Sequence, residues 1–399
     1  MRVLMLSWDA PPMSVSAVGA HVDGLSQALV RSGHEVTIVT VANDDSIFGI
    51  EDQTHHGVRI IRIAVQTPML SVPVTTQASV PSADLIAQTA SANHHLVAVV
   101  PQLGSWKPDV IHAHDWRTAW AAHTLSTILS VPLVVTFHST EQGRHGGMVP
   151  VGTPASINAI EWWLALRANR VICCSRFMRR ATIVGFELAP DHVHLVPNGV
   201  AVEKWSPPHQ LIPRQPLVLA WGRTQYEKGF QVLAQAISRL RGVVPGIHCV
   251  IAGRGPYLPE LQSQVDIEGV NDLVHLAGYV SDDELHTLVH RAGCVVIPSL
   301  YEPFGIVALE SMAGGAPTVV ARTGGLAEIV EGTGAGLLFE PGNAVQLAEQ
   351  IEKVLTDPAV AQELQTQARN VLQSHYSWDA IAKATGTVYG HVCGDNSGR

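Results

Sequence analysis

The 399-residue chain has few charged side chains and no long apolar run. Charged residues make up 15% of the sequence and aromatic residues 6%, whereas apolar residues make up 46%. No stretch reaches the roughly 18 consecutive apolar residues that a membrane-spanning helix needs. The amino-terminal run MRVLML is short and is soon followed by Asp9, so we predict a buried first strand rather than a signal peptide.

An excess of positive charge is also missing, since the formal net charge is -9. Nucleic acid is therefore not an expected partner, because binding to phosphates needs clustered Lys and Arg. One segment departs from the average and contains Arg167, Arg170, Arg176, Arg179 and Arg180. We expect a solvated helix face there, and the alternative is a patch for a phosphorylated acceptor or for peripheral contact with an anionic membrane.

The five cysteines have no metal-type spacing. Four of them lie inside apolar runs, namely Cys173, Cys174, Cys249 and Cys294. An odd number of cysteines within such runs is typical of reduced core thiols, and it predicts a cytoplasmic protein.

Short apolar runs alternate with helical patterns in both halves of the chain. This alternation predicts an α/β fold with parallel sheets covered on both faces. Residues 203–216 contain four prolines and no periodicity, so they read as a linker. We predict two doubly wound Rossmann-like domains, at 1–205 and 206–376, followed by a helix at 377–399. Sheets of this type bind ligands at the carboxyl ends of their strands, and two facing sheets would form a cleft.

A loop of small residues, 9–19, follows the first predicted strand and leads into a helix that we expect to begin near Ala20. The free amides and the positive dipole end of such a helix can bind a phosphate, which makes Gly19 a candidate ligand residue. The alternative is an ordinary strand-to-helix turn.

Two cations follow the first predicted strand of the second domain. Arg223 and Lys228 lie in WGRTQYEKGF, at the expected carboxyl end of the sheet. A diphosphate leaving group needs its negative charge stabilised, and two cations suit that task. The alternative is an unrelated Arg and an exposed Lys at a helix start.

The sharpest motif is PSLYEPFGIVALE, residues 298–310. Glu302 precedes a predicted helix whose first turn offers the amides of Gly305, Ile306 and Val307. Glu310 follows about two turns into an otherwise apolar helix, where a carboxylate is unfavourable unless it has hydrogen-bond donors such as ribose hydroxyls. The alternative is a pair of ordinary helix-start and surface glutamates.

Histidines end two strands of the first domain. His112 and His114 share one strand face and are followed by Asp115, and His138 ends the next strand. The pair could bind a metal, but no third ligand has suitable spacing, so we expect structural or sugar-contacting roles. His138 is placed where a sugar hydroxyl would need a hydrogen-bond partner.

An ordered set of motifs resembles glycosyltransferase family 4, a retaining family of GT-B architecture. The set is HAHDW (112–116), TFH (136–138), PNGV (197–200), GR…EKG (222–229), Glu302…Glu310 with EPFG, and TGGLAE (323–328). The resemblance covers nearly the whole chain, and it is greatest to the actinobacterial glycogen-synthase-like enzymes that extend α-1,4-glucans or maltosyl acceptors. It implies that the carboxyl-terminal helix packs back on the first domain.

The resemblance also implies a reaction. A hexose, expected to be glucose, would move from UDP- or ADP-glucose to an α-glucan or maltooligosaccharide. The implied catalytic residues are Glu302, His138, Arg223 and Lys228. The implied donor site comprises Gly19, Arg223 and Lys228 at the diphosphate, Glu302 at the sugar hydroxyls, His138 near O6, Glu310 at the ribose, and the amides of Phe304, Gly305, Ile306 and Val307. Asp115 and Arg144 are the acceptor candidates.

One position departs from the family pattern, because Ser16 and Ala17 stand where the family usually carries a Gly-Gly pair. A side chain there narrows the approach of a phosphate to the backbone. No Asp-x-Asp metal motif stands out, so we expect transfer without a metal or other cofactor. The alternatives are a sugar-phosphate or lipid acceptor, a nucleotide-sugar 2-epimerase, or a non-catalytic nucleotide-sugar-binding protein. Whichever the acceptor is, we expect its contacts to come from first-domain loops such as 65–82 and 140–155.

Overall fold

The computed structural model describes residues 1–11, 16–42, 49–65, 82–206 and 213–395. Part of the predicted phosphate loop, most of the predicted acceptor loop at 65–82 and the centre of the predicted linker lie outside the described residues. The chain divides into two compact units. The first unit contains Met1–Gly199 and the helix that begins at Trp378, and the second contains Val200–Ser377.

The first unit alternates strands and helices along the chain. Its elements are β1 (Arg2–Leu6), α1 (Ala17–Arg31), β2 (Glu35–Val41), β3 (Ile50–His55), β4 (Val58–Ile63), α2 (Ser82–Val97), α3 (Val100–Leu103), β5 (Val110–His114), α4 (Ala119–Leu129), β6 (Leu133–Phe137), α5 (Glu141–Arg144), α6 (Thr153–Arg167), β7 (Arg170–Cys173), α7 (Arg176–Gly185) and β8 (Val193–Leu195).

These strands form an eight-stranded sheet in the order β3-β4-β2-β1-β5-β6-β7-β8. All neighbouring strands run parallel except the β3–β4 pair at the edge. β5 and β6 are buried along their whole length, because helices cover both faces of a doubly wound sheet. Strands β2 to β4 are added on one side of β1, and strands β6 to β8 are added on the far side of β5. The topological switch point therefore lies between β1 and β5.

The second unit repeats this plan with a smaller sheet. Its elements are α8 (Val202–Trp205), β9 (Gln215–Trp221), α9 (Phe230–Leu240), β10 (His248–Ala252), α10 (Leu258–Ile267), β11 (Val274–Gly278), α11 (Asp282–Arg291), β12 (Ala292–Ile297), α12 (Ile306–Ala313), β13 (Thr318–Ala321), α13 (Gly324–Val330), β14 (Leu337–Phe339), α14 (Ala344–Thr356) and α15 (Pro358–His375). The final helix, α16 (Trp378–Asp395), belongs to the first unit.

The second sheet has six parallel strands in the order β11-β10-β9-β12-β13-β14. Its switch point therefore lies between β9 and β12. The two parallel sheets confirm the predicted α/β class. Loops that follow β9 and β12 flank the place where sheets of this kind bind ligands, and both contain predicted site residues.

Two aromatic side chains hold helix α16 against the first unit, the partly buried Trp378 and the fully buried Tyr389. The indole of Trp378 covers Gly24 and Gly199, and a Cβ at either glycine would overlap it. The fully buried Tyr389 hydroxyl lies 2.7 Å from Nδ1 of His112 on β5. The helix therefore completes the core of this unit.

The cysteines form no disulfide bonds with one another. All five cysteines are free, and the four in apolar runs are buried. No helix among the described residues is long and apolar enough to cross a membrane.

Candidate active site

A lysine and a glutamate meet at the switch point of the second unit. Lys228 ends a 3-10 turn that follows β9, and Glu302 lies in the loop after β12. Lys228 Nζ lies 2.7 Å from Glu302 Oε2, and the two side chains are 27% and 13% exposed. The hydroxyl of Ser299 donates to the same carboxylate oxygen at 3.3 Å. The fold thus brings together two predicted catalytic residues that are far apart in sequence.

The backbone holds the two loops against each other. The amide of Leu300 donates to the carbonyl oxygen of Glu227 at 2.7 Å. Gly229 follows Lys228 with φ +70°, and a Cβ there would overlap the carbonyl oxygen of Pro298. A glycine is needed at this position because the loops approach so closely.

The predicted amide donors lie at the start of α12. Gly305 caps this helix with φ +110°, and a Cβ there would overlap the side chain of Leu326. Ile306 and Val307 open the first turn, where backbone N–H groups have no acceptor within the helix. Phe304 is buried beside them and anchors the loop. This arrangement presents two amides and the positive end of the helix dipole to an anion.

Glu310 lies further along α12, under the end of β9. The indole N–H of Trp221 donates a hydrogen bond to its carboxyl group. Burial raises the pKa of Glu310 to about 7, the charge of Lys204 and the Trp221 hydrogen bond oppose this shift, and Asp282 adds to it. A carboxyl group of this kind has acceptor capacity left for ribose hydroxyls.

Arg223 is exposed and lies two residues after the end of β9. Among the described residues, none accepts a hydrogen bond from the Arg223 guanidinium and none forms an ion pair with it. Its N–H donors are therefore available to an anionic ligand.

In the first unit, Ser16 caps helix α1. Its Oγ accepts a hydrogen bond from the amide of Gly19 at 3.1 Å, and its own amide donates to Oδ2 of Asp9 at 2.9 Å. The φ of Ser16 is -126°, which any residue adopts, and Ala17 is the first helical residue. The departure from a Gly-Gly pair therefore causes no backbone strain. A phosphate at the Gly19 amide would have to displace the Ser16 hydroxyl.

Asp115 and His138 are joined at the carboxyl ends of β5 and β6. Asp115 has a positive φ of +59°, and its Oδ1 accepts a hydrogen bond from the His138 amide at 2.8 Å. Burial raises the pKa of Asp115 to about 6, although the His138 amide and the charge of Arg144 oppose this. Arg144 lies on α5, and its Nη1 donates to Oε1 of Glu141 at 2.5 Å. The fold thus places the acceptor candidates beside His138.

Glu161 is a member of this region that sequence reasoning missed. It lies on α6, is 1% exposed, and its Oε2 accepts a hydrogen bond from the amide of Glu141 at 3.0 Å. Burial raises the pKa of Glu161 to about 8. The hydrogen bond from the Glu141 amide opposes this shift. The sequence did contain a signal for this residue, since Glu161 is a carboxylate within the apolar helical pattern NAIEWWLAL.

The strand-end histidines separate into two kinds. Both ring nitrogens of His112 are hydrogen bonded, to the Tyr389 hydroxyl and to Oγ1 of Thr136, each at 2.7 Å. His112 is therefore structural. Its nitrogens are not available to bind a metal together with His114. His114 Nδ1 lies instead 3.2 Å from His138 Nε2.

A third imidazole, that of His21 on α1, packs against His138 with a ring-centroid distance of 4.6 Å. Burial lowers the pKa of His138 to about 4. It also lowers the pKa values of His21 and His114 well below the usual range, and the neighbouring histidines add to this effect. Burial therefore favours the uncharged form of all three rings.

The arginine-rich segment is largely a solvated face. Arg176 and Arg180 are exposed on α7. Arg179 is used within the fold, since it donates to the carbonyl oxygens of Val193 at 2.7 Å and Pro190 at 2.6 Å.

Two Rossmann-like parallel units, each with polar residues at its switch point, define the GT-B class of glycosyltransferases. Residues 18–204 match the family model described as Glycosyltransferase Family 4, and residues 201–371 match that described as Glycosyl transferases group 1. The chain belongs to glycosyltransferase family 4, as its motifs indicated.

Relatives extend this likeness over the full chain. A glycogen synthase of Mycobacterium tuberculosis is 35% identical, with 98% of this chain and 94% of that protein covered. An α-maltose-1-phosphate synthase of the same organism is 28% identical, with 98% and 100% covered. The structure of sucrose-phosphate synthase from Thermosynechococcus elongatus aligns with a TM-score of 0.81 at 23% identity, covering 99% of this chain and 100% of that one, and supports the fold. The protein is therefore a hexosyltransferase.

Proposed function

We propose that this hexosyltransferase moves glucose, with retention of anomeric configuration, from a nucleotide sugar to an α-glucan or maltooligosaccharide. The observation that carries the proposal is the Lys228–Glu302 pair, 2.7 Å apart at the switch point between β9 and β12. A cation for the diphosphate and a carboxylate for the sugar hydroxyls lie side by side there. The full-length likeness to a glycogen synthase supports the glucan acceptor.

The diphosphate is proposed to bind between cations and amides of the second unit. Lys228 donates from one side, the exposed guanidinium of Arg223 supplies further N–H groups, and the first turn of α12 adds the amides of Ile306 and Val307. These groups stabilise the negative charge that develops as the diphosphate leaves. They supply the stabilisation that a metal ion provides in other transferases, so we propose metal-independent transfer without a further cofactor.

Retention is proposed to follow from attack on the face that the leaving group occupies. The acceptor hydroxyl forms the new bond to the anomeric carbon while the bond to the diphosphate oxygen breaks. The departing phosphate oxygen takes the proton of that hydroxyl. The protein positions the reactants and stabilises charge, and His138 and Glu302 are proposed to hold sugar hydroxyls.

A sugar phosphate is a second candidate acceptor, because one observation favours it. Arg144 is 43% exposed on the short helix α5 near Asp115. Its Nη1 donates to Glu141 and its Nη2 to Ser139, and its remaining N–H groups suit a phosphate. The likeness to an α-maltose-1-phosphate synthase points in the same direction.

A competition experiment separates the two acceptors and tests retention. The enzyme is given UDP-glucose or ADP-glucose with equal concentrations of maltotetraose and glucose 1-phosphate, and the products are analysed by mass and by the anomeric proton coupling. The account expects a glucan longer by one α-linked glucose. A β-linked product overturns retention, and a disaccharide phosphate as the main product overturns the glucan acceptor. Donor consumption without any acceptor would favour the epimerase alternative.

The cysteines support a cytoplasmic location. All five thiols are free, and four of them are enclosed in the cores of the two units. Proteins of reducing compartments use cysteine in this way, whereas secreted proteins tend to pair it in disulfides.

A further inference from the structure

Three imidazole rings converge at the carboxyl edge of the first sheet, beside its switch point. His21 lies on α1, which follows β1 in the chain, His114 ends β5, and His138 follows β6. One ring nitrogen from each lies within 4.8 Å of the other two. Three separate elements of the fold therefore bring three nitrogen ligands to one place.

One pair of these rings shares a hydrogen bond, at a separation that two ligands of one metal ion also have. His114 Nδ1 and His138 Nε2 are 3.2 Å apart. A tetrahedral zinc ion holds imidazole nitrogens at roughly 2.0–2.1 Å, which places two of them roughly 3.3 Å from each other. A nitrogen of His21 lies within 4.8 Å of a nitrogen on each of the other two rings, so it would have to move closer to share one ion with them.

The imidazole of His21 is buried without a hydrogen bond of normal length and angle to the described residues. Its side chain is 4% exposed, and neither ring nitrogen has a hydrogen bond of normal geometry to any of the described residues. The side chain of Asn198 lies near enough to oppose the lowering of the His21 pKa, yet its Oδ1 also lacks a hydrogen-bond partner. His112 differs, because both of its nitrogens are bonded within the fold. Buried polar atoms without partners are rare, and a bound ligand removes the deficit.

We propose that His21, His114 and His138 together bind one zinc-class divalent cation through three imidazole ligands, with a fourth position left to water. Three histidines and one open position form an established zinc ligand set, and imidazole suits Zn²⁺ and its neighbours in the transition series. His138 is partly exposed, which gives the ion access.

Occupancy of this site has a consequence that rests on the proposed function. A coordinated His138 no longer offers its Nε2 to a sugar hydroxyl. Zinc is therefore expected to inhibit transfer, and a chelator is expected to restore it. The three histidines lie on the first unit, whereas Arg223, Lys228 and the amides of α12 lie on the second.

The test uses the full chain and the metal alone. The protein, stripped with a chelator, is titrated with Co²⁺, and the visible absorption is recorded before Co²⁺ is displaced with Zn²⁺. We expect the intense visible bands of tetrahedral cobalt at one equivalent, and their loss on addition of Zn²⁺. Absence of these bands in the wild-type protein overturns the proposal, whatever the variants do.

The variant His21→Phe removes both unpartnered nitrogens and keeps an aromatic ring against Trp378, which lies 5.4 Å from the His21 ring. Since loss of an outer-shell partner alone costs about 10–100-fold in metal affinity, loss of a ligand is expected to cost at least that much. The control is His275→Ala, which removes an exposed histidine of β11 and is expected to leave affinity unchanged. A His21→Phe protein that folds and binds Zn²⁺ as tightly as wild type overturns the site.

Metal binding and inhibition are separate readouts. Cobalt binding that depends on His21, together with transfer that zinc does not inhibit, would support the metal site. The same result would contradict the proposed contact of His138 with the sugar.

Discussion

The indole N–H of Trp221 donates to the carboxyl group of Glu310, and this hydrogen bond joins the last residue of β9 to helix α12. It orients Glu310 at the switch point and leaves acceptor capacity on the carboxyl group. Burial raises the Glu310 pKa to about 7 despite this hydrogen bond. The protonation state of this group therefore changes in the range where enzymes are assayed.

Nucleotide binding should depend on the charge of Glu310. Ribose hydroxyls donate to the ionised carboxylate, so binding should release a proton below about pH 7, and affinity for a nucleoside diphosphate should rise from pH 6 to pH 8. The variant Glu310→Gln should bind more weakly and lose this part of the pH dependence. Calorimetry in buffers of different ionisation enthalpy measures the proton release.

Since wild type and Glu310→Gln receive the same nucleotide, the ionisation of its phosphate cancels in the comparison. Identical pH profiles for the two proteins would remove Glu310 from the nucleotide site.

The raised pKa of Glu310 also affects folding. The free energy of unfolding should fall as pH rises from about 4.5 to about 7, because Glu310 loses its proton at lower pH in the unfolded chain than in the folded protein.

Lys228 should contribute to turnover rather than to folding. We expect Lys228→Ala to lower kcat by about 10²–10³-fold, by analogy with the loss of one preorganised charge-stabilising group. Thermal unfolding should change little, since the Lys228–Glu302 pair is partly exposed. Steady-state kinetics with a nucleotide-sugar donor provide the measurement.

The matched control is Lys353→Ala on the exposed face of α14, which should leave kcat unchanged. Equal activity of Lys228→Ala and wild type would contradict the proposed role.

Gly229 and Gly269 form a matched pair in the second unit. Their φ angles are +70° and +65°, but a Cβ at Gly229 would overlap the Pro298 carbonyl oxygen, whereas nothing lies within 4 Å of one at Gly269. We expect Gly269→Ala to cost about 1–2 kcal/mol of stability from the left-handed backbone alone. Gly229→Ala should cost clearly more and should weaken nucleotide binding.

Urea unfolding and nucleotide titration of both variants check this expectation. Equal destabilisation would show that the close approach of the β9 and β12 loops is relaxed in solution.

Tyr389 should stabilise the first unit through one hydrogen bond. Tyr389→Phe removes the hydroxyl that lies 2.7 Å from Nδ1 of His112 and leaves a buried ring nitrogen without a partner. A loss of about 1–3 kcal/mol is expected. Tyr279→Phe is the control, because Tyr279 is 68% exposed, and its unfolding free energy should not change.

Urea denaturation, followed by near-ultraviolet circular dichroism, gives both values. A Tyr389→Phe protein as stable as the control would mean that water replaces the hydroxyl.

Much of the fold could be predicted because buried parallel strands leave a local signature. The runs VLML and LVVTF stand out as β1 and β6, and α12 follows directly from EPFGIVALE. The edge strand β3 (IEDQTH) was missed, since its alternating exposure leaves it polar. Helix α1 begins at Ala17 rather than near Ala20, because Ser16 supplies the cap.

The candidate site was only partly predictable. Lys228 and Glu302 each follow a strand, so their meeting could be inferred from the carboxyl-edge rule. His21 could not be joined to His114 and His138, because it lies on a helix that follows a different strand and no sequence spacing records that proximity. Glu161 did leave a sequence signal, a carboxylate within an apolar helical pattern, but its contact with Glu141 on another helix could not be inferred.

The most direct test of the account is nucleotide release from UDP-glucose and ADP-glucose, measured with and without a maltooligosaccharide. The account predicts that one donor releases its nucleotide faster when the acceptor is present, and that the glucan grows by one glucose per nucleotide released. Release that ignores every acceptor, or no release from either donor, would contradict the proposed glucosyl transfer.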